Sequence, residues 1–238
     1  YNYNKWIKYV EPKLLKKVLK KTVQEYNFKL KDYSDCSLVK DTDYVFSYNK
    51  KYTELYNWTK KVISWTLELN KDALILYGNE DQKNSENKRI NPTFKTAWNE
   101  ELFLSDPVYS SLWIISGTIW NESIRQLEST KIKISHKLII FQAIHILRQK
   151  SIKNPVFHIP LVLSSKNLHL ESPSRVEEFK MHRIALKNFL KVKYGYKSCS
   201  LIEKDLGFKL EWPISKENKL SIIIPTKDNL QVLKSCIN

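Results

Sequence analysis

A chain of 238 residues can bury the core of one or two domains, and a hydrophobic content of 42% excludes a disordered segment. A net charge of +15 suits nucleic acid or an anionic membrane surface, yet the lysines run along the whole chain and no nucleic-acid-binding motif accompanies them. We therefore expect ordinary solvated basic faces and no nucleic-acid partner, with peripheral membrane association left open. No apolar run approaches the roughly 20 residues that cross a bilayer, and four glycines leave no phosphate-cradling Gly-rich loop.

Three well-separated cysteines, Cys36, Cys199 and Cys236, form neither a disulfide framework nor a metal-ligand spacing and suit a reducing, cytoplasmic compartment. The chain opens on Tyr1 and its single methionine is Met181, so we expect a piece of a longer polypeptide.

Residues 9–28 predict a helix. Pro12 suits its first turn, Leu15, Val18, Leu19, Thr22 and Tyr26 recur at helical spacing, and Lys13, Lys16, Lys17, Lys20 and Lys21 make the other face basic. That face fits plain solvation or a membrane surface. Asp43 to Tyr48 predicts a strand. Residues 53–70 predict an amphipathic helix with Leu55, Trp58, Val62, Trp65 and Leu69 on one face. Ala73 to Tyr77 predicts a buried strand ending in an acidic turn, Gly78-Asn79-Glu80-Asp81, where ligands of open α/β sheets bind. Residues 84–89 form a polar loop, 92–105 a short helical capping segment with aromatics, and 108–120 a further strand.

Ser135 to Lys150 predicts a helix on which His136 and His145 are too far apart to share a ligand. Phe157 to Leu163 predicts a strand, and Arg175 to Tyr194 a helix with Gly195 as its C-terminal cap. Residues 196–219 form a connector with a strand-like stretch at 208–213. Leu220 to Leu230 then predicts a parallel strand running into a Pro-Thr turn, with the start of a helix at 231–237: the opening of a nucleotide-binding α/β domain.

Four segments in this order resemble family 2 glycosyltransferases of the GT-A fold, in the tandem-domain group of O-antigen and rhamnose-rich polysaccharide synthesis. They are Tyr77 to Lys83 (family pattern YSDEDK), Pro92 to Ser105 (PxFKPDWNPDLLLS), His158 to Leu163 (HIPxVL) and Ser221 to Asp228 (SIIIPTKD). Tyr3 to Pro12 is similar to the segment that precedes the group's first domain.

The resemblance implies an α/β fold, with a partial GT-A-like mixed sheet flanked by helices, then a linker and the first strand of a second GT-A domain. It divides the chain into a basic helical segment (1–32), a glycosyltransferase-like domain (33–190), a linker (191–219) and the start of a second domain (220–238). In that second domain Pro225, Thr226 and Asp228 would meet the nucleotide, and a divalent cation, magnesium or manganese, is expected.

The first domain departs from the family at its chemistry. Asn49, Lys50 and Lys51 stand where metal-binding aspartates belong, so no metal site is expected there. Ser135-His136-Lys137 stands where the catalytic base belongs, and Ser165-Lys166-Asn167 replaces the terminal His-Trp-Arg. Only about 30 residues separate Pro12 from the strand at 43, too few for the family's nucleotide-binding strands. No catalytic residue is assigned. Glu80, Asp81 and Trp98 are the candidate sugar contacts, since carboxylates and an aromatic face suit sugar hydroxyls and C–H faces.

The parent protein would transfer a sugar from a nucleotide-sugar donor to a glycan acceptor, with activity in the second domain. The alternative is a non-catalytic scaffold or carbohydrate-binding module.

Overall fold

The computed structural model describes residues 2–106, 109–168, 175–194, 199–204, 207–212 and 230–237, together with Ser221 and Ile224. The chain runs α1 (Tyr3–Tyr9), α2 (Glu11–Leu19), β1 (Phe28–Lys31), β2 (Tyr44–Tyr48), β3 (Thr53–Leu55), α3 (Thr59–Leu69), β4 (Ile75–Lys83), β5 (Arg89–Thr93), α4 (Glu100–Ser105) and β6 (Leu112–Ser116). It continues with α5 (Gly117–Glu128), α6 (His136–Gln149), β7 (Val156–Asn167), α7 (Arg175–Tyr194), β8 (Ser200–Lys204), β9 (Gly207–Glu211) and α8 (Leu230–Ile237).

Seven strands make one curled mixed sheet in the order β1-β2-β6-β4-β7-β3, with β5 paired to the far end of β4. β1 with β2 and β4 with β7 are parallel, whereas β6 lies antiparallel between β2 and β4. Period-two alternation builds a core on each face. Val45, Ile75, Tyr77, Trp113 and Ile115 meet α5, α6 and α7 on one side, and Phe46, Leu76, Leu112 and Ile114 meet α2 and α3 on the other. The architecture is therefore mixed α/β with helices on both faces. Trp120 anchors the first core, fully buried with its indole N–H donated to the Ser37 carbonyl at 3.0 Å. Among the described residues no helix is long and apolar enough to cross a membrane.

Several predicted boundaries move, each for a tertiary reason. The helix predicted over 9–28 is confined to α2, Glu11–Leu19, and is preceded across a joint at Val10 by α1. Past Leu19 the chain turns so that Phe28 can pack against Phe46, 4.8 Å between centroids, and β1 can add an edge strand beside β2. The helix predicted from Thr53 begins at Thr59, because Thr53–Leu55 pair with β7. The strand predicted over 108–120 is confined to 112–116, and α5 starts at Gly117. A Cβ at Gly117 would overlap the Lys40 carbonyl, and its N–H bonds the Asp43 carbonyl at 2.7 Å.

The acidic turn predicted at 78–81 is the interior of a nine-residue strand, since β7 and β5 both pair with this stretch of β4. The connector 196–219 contains a hairpin, β8–β9, whose Phe208 is buried against Phe179 and His182 of α7. α8 is the helix start predicted at 231–237. The strand predicted before it, with Pro225, Thr226 and Asp228, falls largely outside the described residues.

His182 ties α7 to α4. Its Nε2–H donates to the Leu104 carbonyl at 2.9 Å while the ring stacks on Phe208. Burial, reinforced by the nearby Lys137, pushes its pKa down from 6.5 to about 4. A histidine whose folded pKa is depressed is protonated first in the unfolded chain, so stability falls as pH drops from 6.5 through 4. We expect urea midpoints to decline over that window, with His182 contributing up to about 3 kcal/mol. His182→Gln, which keeps a donor for Leu104, is expected to flatten the profile; an unchanged slope would show that His182 is not the titrating group.

Candidate functional site

Strand β4 carries Asn79, Glu80 and Asp81, all buried, into the middle of the sheet. The pairing with β7 slips along this stretch: Gly78 lies opposite Ile159, Asn79 opposite Val162 and Glu80 opposite Ser164. Pro160, which has no N–H for a ladder, sits within the slip. Gly78 is required beside it, because a Cβ there would overlap the Leu163 side chain. Adjacent strand residues point to opposite faces, and the slip sets which face each of the two carboxylates takes.

Glu80 faces α7. Its carboxylate accepts the Ser111 backbone N–H at 3.0 Å and the Ser111 hydroxyl, and pairs with Lys95 Nζ at 3.1 Å. Burial alone would raise its pKa, but Lys95, Lys166 and the two Ser111 bonds outweigh it and hold the carboxyl at about 2. Lys95 is placed by the strand itself. Asn79 Oδ1 accepts the Lys95 backbone N–H at 2.9 Å and the His158 Nε2–H at 2.9 Å, and Tyr77 donates its hydroxyl to the Thr96 carbonyl at 2.8 Å. Lys166, on β7, reaches Glu178 of α7 at 3.4 Å.

These groups line an open cavity of about 430 Å³, with Phe94, Tyr109, Asp106 and Gln82 completing much of its wall. Phe94 is 50% exposed at the rim. Carboxylates and ammonium groups alternate round this space, an arrangement that can bind hydroxyl-rich ligands by paired donors and acceptors.

Asp81 faces α1, α2 and α3. Both its oxygens are occupied: Tyr56 donates at 2.8 Å, Tyr3 at 2.6 Å and Arg89 Nε at 2.6 Å. Arg89 also grips Glu11 with both terminal nitrogens, at 2.5 and 2.9 Å, and its guanidinium lies over the Tyr56 ring at 4.6 Å. Tyr56 in turn stacks on Trp58, 4.5 Å between centroids. A carboxylate held by a guanidinium and two phenols has no room for a divalent cation, and among the described residues no group of three or more His, Cys, Asp or Glu side chains converges.

The predicted sugar contacts thus separate. Glu80 lies on the cavity wall, paired with Lys95. Asp81 touches the same wall but is bound into the Arg89 network on the other face. Trp98 is half-buried in an aromatic cluster, 5.3 Å from Phe103 and 5.9 Å from Tyr109, and is not among the residues lining the cavity. Of the residues standing in for the family's metal ligands, Lys50 and Lys51 are exposed on the turn after β2, and the Lys50 N–H bonds Asp32 at 2.8 Å.

His136 is buried, with Nδ1 accepting from the Ser47 hydroxyl at 2.6 Å and Nε2–H donating to the Asp35 carbonyl at 3.0 Å. A ring with both nitrogens engaged in the core does not reach a substrate. Its neighbour Lys137 instead lines a small chamber of about 30 Å³ that shares Asp106 and Tyr109 with the larger cavity, and burial pushes its pKa down to about 8. Pro225, Thr226 and Asp228 lie outside the described residues.

Lys95, Lys166, Glu178 and Arg89 are the site residues that sequence reasoning missed. One signal was available for Arg89, since arginine is scarce in this lysine-rich chain and its planar fork suits bidentate pairing. No protein-family model matches the chain, and no curated protein matches it in sequence.

Removing Arg89 would strand two buried carboxylates. Arg89→Met is expected to cost about 3–5 kcal/mol, read as a lowered urea midpoint at unchanged slope. Adding Glu11→Gln and Asp81→Asn should restore part of the loss. A single mutant as stable as the parent would mean that the network contributes nothing.

Proposed function

We propose that this chain belongs to a protein of glycan synthesis, and that residues 33–190 form a glycosyltransferase-like domain that holds a glycan without transferring sugar to it. Transfer would belong to the domain that begins at 220–238, together with its nucleotide-sugar donor and divalent cation. The likeness to family 2 glycosyltransferases rests on the four ordered motifs, and a mixed sheet with helices on both faces is compatible with a GT-A-like domain.

The observation that carries the non-catalytic reading is the state of the two β4 carboxylates. Glu80 is paired with Lys95 and Asp81 with the part-buried Arg89. Neither is left to bind a metal or move a proton, while the cavity beside Glu80 stays open, polar and edged by Phe94. An aromatic face at the rim suits the C–H face of a sugar ring, and the charged pairs suit its hydroxyls.

Titrating the chain with a panel of neutral oligosaccharides, rhamnose-containing ones included, tests this by calorimetry. We expect binding that weakens about 3–10-fold in Phe94→Ala, the loss of one aromatic contact. We also expect no turnover of nucleotide-sugars by the chain itself. Failure of every oligosaccharide to bind, or metal-dependent turnover abolished by Asp81→Asn, would defeat the proposal.

A further inference from the structure

Helix α2 presents a basic face with a defined place in the fold. At 100° per residue its buried side chains Glu11, Leu15 and Val18 share one side, and Lys13, Lys16, Lys17 and Lys20 fall opposite them. All four are exposed, as are Lys21 just beyond and Lys5 and Lys8 on α1. Among the described residues none of the seven takes part in an ion pair. The one acid in these two helices, Glu11, is turned inward onto Arg89.

Lysines three and four residues apart repel one another along a helix. Here they are held together by tertiary packing: Leu15 and Val18 lie in the core with α3, Trp6 is buried, and Tyr3 and Glu11 bind the Asp81–Arg89 network. The apolar stripe is therefore consumed by the fold, and the helix cannot roll over and insert. What it offers is a rigid, convex, cationic surface bordered by two half-exposed leucines, Leu14 (39%) and Leu19 (40%), with Tyr9 (54%) at the joint between the helices.

We infer that this α1–α2 face docks the protein on an anionic lipid bilayer. Charge complementarity selects an acidic partner, and three features favour a headgroup layer over nucleic acid. All seven cations are lysines, point charges suited to diffuse attraction, whereas nucleic-acid readers draw on arginine forks and stacking aromatics. The surface is convex helix, with no groove to follow a strand. The exposed leucines and tyrosine flank the charges at the depth where an interface would take apolar side chains.

The inference stands apart from the glycan-binding proposal, since it uses neither the cavity nor its residues. Sedimentation of the full chain with vesicles of phosphatidylcholine alone, or with 40% phosphatidylglycerol, tests it. We expect binding to the anionic vesicles only, lost steeply as salt rises through 0.3 M because the interaction is screened within a Debye length. Each lysine neutralised should weaken binding about fivefold, so Lys16→Gln with Lys17→Gln should lose about 25-fold.

The same chain carrying Lys133→Gln, Lys153→Gln and Lys191→Gln, all exposed and remote in sequence, should bind as the parent does; equal losses would reduce the effect to net charge and overturn the proposal. Leu14→Ser with Leu19→Ser should weaken vesicle binding further. Absence of binding at 50 mM salt, or tighter binding to a 20-nucleotide RNA than to vesicles of matched phosphate content, would also overturn it.

Discussion

Two neighbouring carboxylates, Glu80 and Asp81, lie buried in the middle of a sheet, and much of the molecule is arranged to neutralise them. A buried charge without a partner is far costlier than a buried hydrophobe. Glu80 is answered from within the α/β unit, by Lys95 on the segment that crosses the strand ends and by Lys166 on β7. Asp81 is answered on the opposite face, by Arg89 at the start of β5 and by Tyr3 of α1. Arg89 has N–H donors to spare for Glu11, and so the N-terminal helices are joined to the sheet by a polar tie as well as by Leu15 and Val18.

That solution constrains what the site can do. A carboxylate left unpaired can hold a cation or move a proton. Here a guanidinium and an ammonium satisfy both carboxylates, and His136 is absorbed into the core by Ser47 and the Asp35 carbonyl. The cavity beside Glu80 is lined by Lys95, Lys166 and Glu178 as well, charged groups that suit a polar ligand. The basic face of α2 depends on the same tie, because Glu11 is drawn inward by Arg89 and leaves the outer surface wholly cationic.

The strand at 44–48, the 157–163 part of β7 and the helices at 136–149 and 175–194 were legible from their apolar residues, since each buries one face against a continuous core; the polar end of β7, 164–167, was not. Ser135 caps its helix by accepting from the Leu138 N–H, as its residue type suggests. The strand β4 was legible only to Tyr77, because Gly78-Asn79-Glu80-Asp81 carries turn residues and charges whose reason for burial lies elsewhere in the chain. Thr53–Leu55 and Phe28–Lys31 were hidden likewise: each is a short edge segment that becomes a strand only because a neighbour offers a free ladder.

Local pattern thus sufficed for the α/β character and for much of the core, though not for α5 or for the burial of residues 78–81 inside β4, because hydrophobic period and capping act within a few residues. The pairing of charges did not follow from it. Glu80 finds Ser111 and Lys95, and Asp81 finds Tyr3 and Arg89, across separations that only the folded chain closes. Which carboxylate faces the cavity, and which is bound into the N-terminal helices, was decided by a slip in strand register beside Gly78 and Pro160, where β7 advances three residues on β4, an odd displacement that changes the face to which each side chain points.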